Sequence, residues 1–211
     1  MSPRCVVSDF GGVLTSPLLP AFASFQDDIG VSPQAFGAAM RRAAENDGGE
    51  HPLFALERGE MSEAEFIRRM EVALRAELDR DVSMREFSQR FFAALQPNEA
   101  LFAYYRALRE RGIRLAMVTN NVREWEPRWR PMLPVDEIFE VVVDSGFVGM
   151  RKPERGIYEL VLTRLGLPAT ACVFVDDIEV NVEAAAALGF ATVHHRDTDA
   201  TIAELEQLLA G

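Results

Sequence analysis

The sequence predicts an α/β protein: a doubly wound parallel sheet with a helical subdomain inserted after its first strand. Three observations carry this reading. The apolar run Cys5-Val6-Val7-Ser8 ends in Asp9, Phe10 and the glycine pair Gly11-Gly12, as a buried parallel strand does when it delivers a single acid to a sheet edge. Residues 17–97 show apolar positions at three- and four-residue spacing and no convincing strand pattern. From Asn98 onward helix and strand signals alternate, the rhythm of a parallel sheet covered on both faces.

The elements follow in order. Ser32-Pro33 opens a helix as N-cap and first helical residue, and Asp47-Gly48-Gly49 closes it. Ser62, with Glu65 three residues on, forms a capping box ahead of Phe66, Ile67, Met70, Ala73, Leu74 and Leu78. Ser83 with Glu86 repeats that signal before Phe87, Phe91, Phe92 and Leu95, and Pro97 ends the block. These apolar stripes read as the packing faces of a helical bundle. A helix then runs to Arg111-Gly112, followed by a strand at 114–118, a short strand at 141–143, a helix over 153–165 stopped by Gly166, and a strand at 171–175. A helix over 178–188 stopped by Gly189, a strand at 191–193 and a last helix from Thr198 complete the chain. The expected organisation is a core of residues 1–16 and 98–211 with a helical cap, 17–97, above the carboxyl edge of the sheet, where ligands of such folds bind.

Composition bounds the partners. The 211 residues are 48% apolar, enough for a full core. A formal net charge of −11 argues against a nucleic-acid partner, whose phosphates require clustered Lys and Arg. No stretch approaches the roughly 20 apolar residues of a spanning helix, and no export signal is read, so neither a membrane nor secretion is expected. Cys5 and Cys172 fall in predicted buried strands as free thiols, which fits a reducing cytoplasm.

Four polar clusters sit where strands end: Asp9, Thr119-Asn120, Lys152 before its helix, and Asp176-Asp177. Singly each has a plain reading as a cap, a turn or a solvated lysine. In this order they resemble the four motifs of the haloacid-dehalogenase-like hydrolase superfamily over nearly the whole chain. Asp9-Phe10-Gly11-Gly12-Val13-Leu14 stands for the first motif, Met117-Val118-Thr119-Asn120-Asn121 for the second, and Gly149-Met150-Arg151-Lys152-Pro153-Glu154 for the third. Val173-Phe174-Val175-Asp176-Asp177 with Asn181 stands for the fourth. Glu57-Arg58-Gly59-Glu60-Met61-Ser62 resembles a cap segment of the branch that includes α-D-glucose-1-phosphate phosphatases and the N-terminal phosphatase domain of soluble epoxide hydrolases.

The resemblance implies a Rossmann-like core and a Mg²⁺-dependent phosphatase acting on a small phosphorylated metabolite, with sugar phosphates in scope. Asp9 would be the nucleophile that forms an aspartyl phosphate, splitting one hard step into two. Lys152, Thr119 and Asn120 would offset the repulsion between two anions and hold the phosphate, Lys152 also counting as catalytic. Mg²⁺ takes hard oxygen ligands, which Asp9, the Gly11 carbonyl and Asp177 would supply, with Asp176 acting through water or from behind. Asn181 would brace the loop.

Gly11 departs from the pattern, because most phosphatases of the superfamily carry there an aspartate that protonates the leaving oxygen. Such help is worth about 10²–10⁴ in rate. Three readings follow: a phosphatase whose leaving group is good or whose proton comes from water, a metal-independent 2-haloacid dehalogenase, and a non-catalytic phospho-ligand binding protein. The acidic pair favours the first, since two adjacent carboxylates without a cation repel. His51 is the best placed replacement acid, although a loop histidine is its plainer reading. His194-His195 is given no role. Trp125 and Trp129 could flank an entrance but are expected to pack against the cap.

Overall fold

The computed structural model describes residues 2–46 and 48–210. Strand β1 (Cys5–Ser8) is followed by helices α1 (Leu18–Asp28), α2 (Pro33–Asn46), α3 (Pro52–Glu57), α4 (Glu63–Leu78) and α5 (Phe87–Ala93). Then come α6 (Glu99–Glu110), β2 (Arg114–Thr119), the short α7 (Glu126–Trp129) and α8 (Val135–Ile138), β3 (Val141–Asp144) and α9 (Ser145–Val148). The chain ends with α10 (Arg155–Leu165), β4 (Cys172–Asp176), α11 (Glu179–Ala187), β5 (Ala191–His194) and α12 (Thr198–Ala210).

The five strands form one parallel sheet in the order β3-β2-β1-β4-β5, the doubly wound arrangement expected. Because β1 lies in the middle and pairs with both β2 and β4, the chain reverses its direction of travel across the sheet beside Asp9, and ligands bind at such switch points. The two faces separate with a period of two. Val6, Leu115, Met117, Val173 and Val175 join a core with α6, α12 and the helical block, while Cys5, Val7, Val118 and Phe174 pack under α10 and α11. Both cysteines are free and fully buried, Cys5 lying opposite Cys172 in the β1–β4 register.

The helical block leaves and re-enters through two segments lying side by side. Thr15 bridges Pro97, Ser16 N–H donates to Gln96 O at 2.7 Å, and Asn98 N–H donates to Leu14 O at 2.8 Å. In α2 the Ser32 hydroxyl accepts from Ala35 N–H as predicted; Asp47 of the predicted stop lies outside the described residues. In α4 Ser62 Oγ accepts from Glu65 N–H at 3.2 Å, while the Glu65 carboxylate is taken by Arg68 and Arg69. Phe66, Met70, Ala73 and Leu74 form its buried stripe.

The helix expected from Ser83 begins only at Phe87. Glu86 adopts a left-handed conformation, φ 62°, and the backbone of Met84 donates to the Glu71 carboxylate of α4 at 2.8 Å. Fully buried Met84 draws this stretch onto the neighbouring helix, and tertiary packing overrides the local capping signal.

Candidate active site

Strand termini build the site. Asp9 directly follows β1, anchored by its N–H to Val175 O at 2.8 Å, and is 6% exposed. Asp176 ends β4 and Thr119 ends β2, both buried. Between them the fully buried Lys152 Nζ lies 2.7 Å from Asp9 Oδ1 and 2.7 Å from Asp176 Oδ2. One cation thus compensates two buried carboxylates, the condition for keeping buried charges.

The rest of the pocket fixes these groups. The Asn120 side chain grips the Lys152 backbone at both ends, accepting from Lys152 N–H at 2.7 Å and donating to Lys152 O at 2.9 Å. The residue expected to hold phosphate therefore also positions the lysine. Asp176 Oδ1 accepts from Ile178 N–H at 2.8 Å and from Asn181 Nδ2 at 3.1 Å, so Asn181 braces the loop as expected. Tyr158 Oη in turn donates to the Asn181 carbonyl at 3.0 Å.

Asp177 contrasts with Asp176. Its Oδ1 is buried and finds no donor among the described residues, while its Oδ2 stands where a Cβ on Gly12 would come within 2.3 Å. Gly12, at φ 85°, is needed both for its backbone angle and for this close approach. Carboxylate oxygens of Asp9, Asp176 and Asp177 lie within 4.8 Å of one another. A set of hard oxygens with one orphaned atom fits a small divalent cation. Because Asp176 already accepts from Lys152, Ile178 and Asn181, Asp177 and Asp9 are the carboxylates with oxygens to spare.

The charges respond to this crowding. Burial pushes the Asp9 carboxyl up to about 8, with Asp176 and Asp177 adding and Lys152 opposing. Burial and the neighbouring Asp176 likewise raise Asp177 to about 6. Burial alone would lower the Lys152 amine, but Asp176 and Asp9 outweigh it and its pKa is raised.

A family model of haloacid dehalogenase-like hydrolases matches residues 3–189, which contain every group just described. The chain belongs to that family. Rat bifunctional epoxide hydrolase 2 is 27% identical over 99% of this chain, which spans about two-fifths (39%) of that relative's length. The sesquiterpene phosphatase astK of Aspergillus oryzae is 34% identical over 54% of this chain and 59% of its own. A haloacid dehalogenase-family enzyme of Bacteroides thetaiotaomicron, solved with magnesium and inorganic phosphate, shares the fold at a TM-score of 0.66 and 21% identity, covering 92% of this chain and 94% of its own.

In this member of the haloacid dehalogenase-like family, α3 and the turn after it close over Lys152. Glu57 accepts from Arg151 Nε at 2.6 Å, and the Arg151 guanidinium lies 3.9 Å from the centre of the Phe54 ring. Arg58 reaches back to Glu154 at 3.4 Å while also held by Glu50 and Glu60 at 2.6 and 3.0 Å. Gly59 docks directly on α9: a Cβ there would stand 2.3 Å from the Gly146 carbonyl. Sequence reasoning singled out neither Arg151 nor Glu57 as site residues, although Arg151 adjoins Lys152 and Glu57 opens the segment that carried the branch resemblance.

The remaining candidates disperse. His51 packs on Phe54 at 5.1 Å, its Nδ1 buried and unpartnered among the described residues, and burial and Arg151 lower its pKa. The Nε2 of His194 lies 3.0 Å from the Asp177 carbonyl, and His195 Nδ1 lies 2.8 Å from Thr201 Oγ1. Trp125 packs on the α5 rings of Phe87, Phe91 and Phe92, as expected. Trp129 is fully buried with its ring on Phe10, one residue from Asp9.

Proposed function

We propose that this chain is a Mg²⁺-dependent phosphatase that hydrolyses a small-molecule phosphomonoester, sugar phosphates among the candidates, through an aspartyl phosphate at Asp9. The observation that supports this most is the cluster of the Asp9, Asp176 and Asp177 carboxylates, two of which, Asp9 and Asp176, share the buried ammonium of Lys152. Asp9 Oδ1 rests against Lys152, and its other oxygen is the one free to attack phosphorus. Lys152 offsets the charge of the approaching phosphate, and Thr119 and Asn120 at the end of β2 orient it. Asn120 has a second task, holding the Lys152 backbone in place.

Asp9, the Gly11 carbonyl and Asp177 would hold the cation, with Asp176 behind them. When bound, Mg²⁺ supplies positive charge that neutralises the phosphate and favours the ionised form of Asp9 against the upward pull of burial. The Glu57–Arg151 and Arg58–Glu154 pairs close the helical block over the site and keep water from it while substrate is held. No described helix is long and apolar enough to cross a membrane, and two buried free thiols suit a reducing cytoplasm.

The test is phosphate release from a panel of phosphomonoesters with and without Mg²⁺, for the wild type and Asp9→Asn. The reading predicts Mg²⁺-dependent release that the substitution abolishes. Release of halide from a 2-haloacid in chelator would replace it with dehalogenation, and retained phosphate binding without turnover would make the chain a binding protein.

A further inference from the structure

Resting on the phosphatase reading, we infer that Arg151 and Glu154 are positioning residues for Lys152, themselves held by Glu57 and Arg58 of the helical block. The reaction centre is then complete only while that block is seated on the core. The observation is where the contacts fall. Glu57 ends α3 and Arg58 follows it as the C-cap, and these two neighbours reach the residue just before Lys152 and the one two places after it.

Lys152 needs such fixing because its task depends on a distance. Its Nζ stands 2.7 Å from Asp9 Oδ1 and from Asp176 Oδ2 at the end of a flexible stem, on a segment that belongs to no helix or strand. A misplacement of about 1 Å at a reacting centre is worth on the order of 10² in rate. Asn120 holds the Lys152 backbone by its N–H and its carbonyl, but two bonds to one residue leave the segment free to turn about the line that joins them. The helical block supplies the missing constraints. Glu57 accepts from Arg151 Nε at 2.6 Å and the Phe54 ring lies 3.9 Å from the same guanidinium, so α3 sets both the edge and the face of Arg151. Glu154 Oε2 accepts from Arg151 N–H at 3.3 Å and its Oε1 from Arg58 Nη1 at 3.4 Å, while Glu154 N–H donates to Arg151 O at 2.8 Å. Residues 151–154 thus close into a turn around Lys152 whose side chains are anchored in the block.

Burial ranks the two pairs. The side chains of Glu57 and Arg151 are 13% and 14% exposed, whereas that of Glu154 is 41% exposed, so the first pair is the firmer constraint and water screens the second. Burial raises the Glu57 pKa, and Arg151, Lys152 and Arg58 oppose it, so this carboxylate of the block also feels the lysine.

The experiment compares the wild type with Glu57→Gln, Arg151→Met and Arg58→Gln on 4-nitrophenyl phosphate in Mg²⁺, with Asp9→Asn as blank. It reads kcat, KM and inhibition by orthophosphate and by orthovanadate, the second resembling the five-coordinate transition state. A displaced lysine weakens binding of the transition state more than that of the ground state. The inference predicts a kcat at least about tenfold lower for Glu57→Gln and for Arg151→Met, with KM and phosphate inhibition changed less than about threefold. Vanadate inhibition should weaken by the same factor as kcat/KM, and Arg58→Gln should lose less than either. Glu57→Gln combined with Arg151→Met should be no worse than the poorer single variant, because both act through one contact. Should either single variant fail to fold, Arg151→Lys, which keeps a cation beside Glu57 but loses the flat face on Phe54, must show the same split. A smaller fall in kcat, or a loss shared equally by phosphate and vanadate as a mere seal over the site would give, overturns the inference and leaves the phosphatase reading standing. Absence of Asp9-dependent release by the wild type removes the phosphatase reading and the inference with it.

Discussion

Asp144 shows how much a single side chain costs when buried beside a charged site. It ends β3, is 6% exposed, and its Oδ1 accepts from Gly146 N–H at 2.9 Å while Oδ2 finds no hydrogen-bond partner among the described residues. Burial raises its pKa to about 6, with the Gly146 bond opposing. A carboxyl whose folded pKa lies above its unfolded value of 3.8 stabilises the fold while protonated, and that contribution is lost as pH rises through about 6. Relative to the wild type, Asp144→Asn should therefore gain at most about 3 kcal/mol of stability between pH 4 and pH 7.5. Denaturant melts at several pH values check this, and a pH-independent difference would contradict it. The lesson of legibility is similar at this scale. Asp9 and the Asp176-Asp177 pair were legible because each ends or follows a strand, and Lys152 because it stands just before a helix in the motif order.

The element that docks the helical block beside Lys152 is α3 with its following turn. It contributes two ion pairs of opposite sense, Glu57 to Arg151 and Arg58 to Glu154, and the backbone contact of Gly59 on Gly146. Gly59 has φ 67°, so Gly59→Ala pays both a left-handed backbone cost and a collision with a carbonyl. We expect about 1–3 kcal/mol of lost stability and a reduction of kcat/KM of at least tenfold, since the block no longer seats on α9. Gly48→Ala is the control: its φ is 83°, but a Cβ there meets nothing within 4 Å. Equal effects from the two substitutions would show that the docking contact is irrelevant to turnover. Helices such as α4, with a good N-cap and a strong apolar stripe, were readable from sequence. The start of α5 was not, because the Met84–Glu71 contact with the preceding helix α4, outside any local capping pattern, decided it.

At the scale of the whole molecule, the sheet order places β1 between β2 and β4 and so gathers groups from residues 9, 119, 152, 176 and 177 at one edge. Alternating helix and strand signals foretold a parallel sheet, and the chain order of the motifs foretold which ends would meet. What remained hidden was how the helical block closes on that edge, because ion pairs such as Glu57–Arg151 span 94 residues and leave no local pattern. The central claim is covalent chemistry at Asp9. Its most direct measurement is acid quenching of the protein during turnover of acetyl phosphate with Mg²⁺, followed by peptide mass spectrometry. The account predicts one phosphoryl group on the peptide containing Asp9, lost on incubation with hydroxylamine and absent in Asp9→Asn. Turnover that depends on Asp9 with no phosphoryl group ever trapped there, or with the label on another residue, would contradict it.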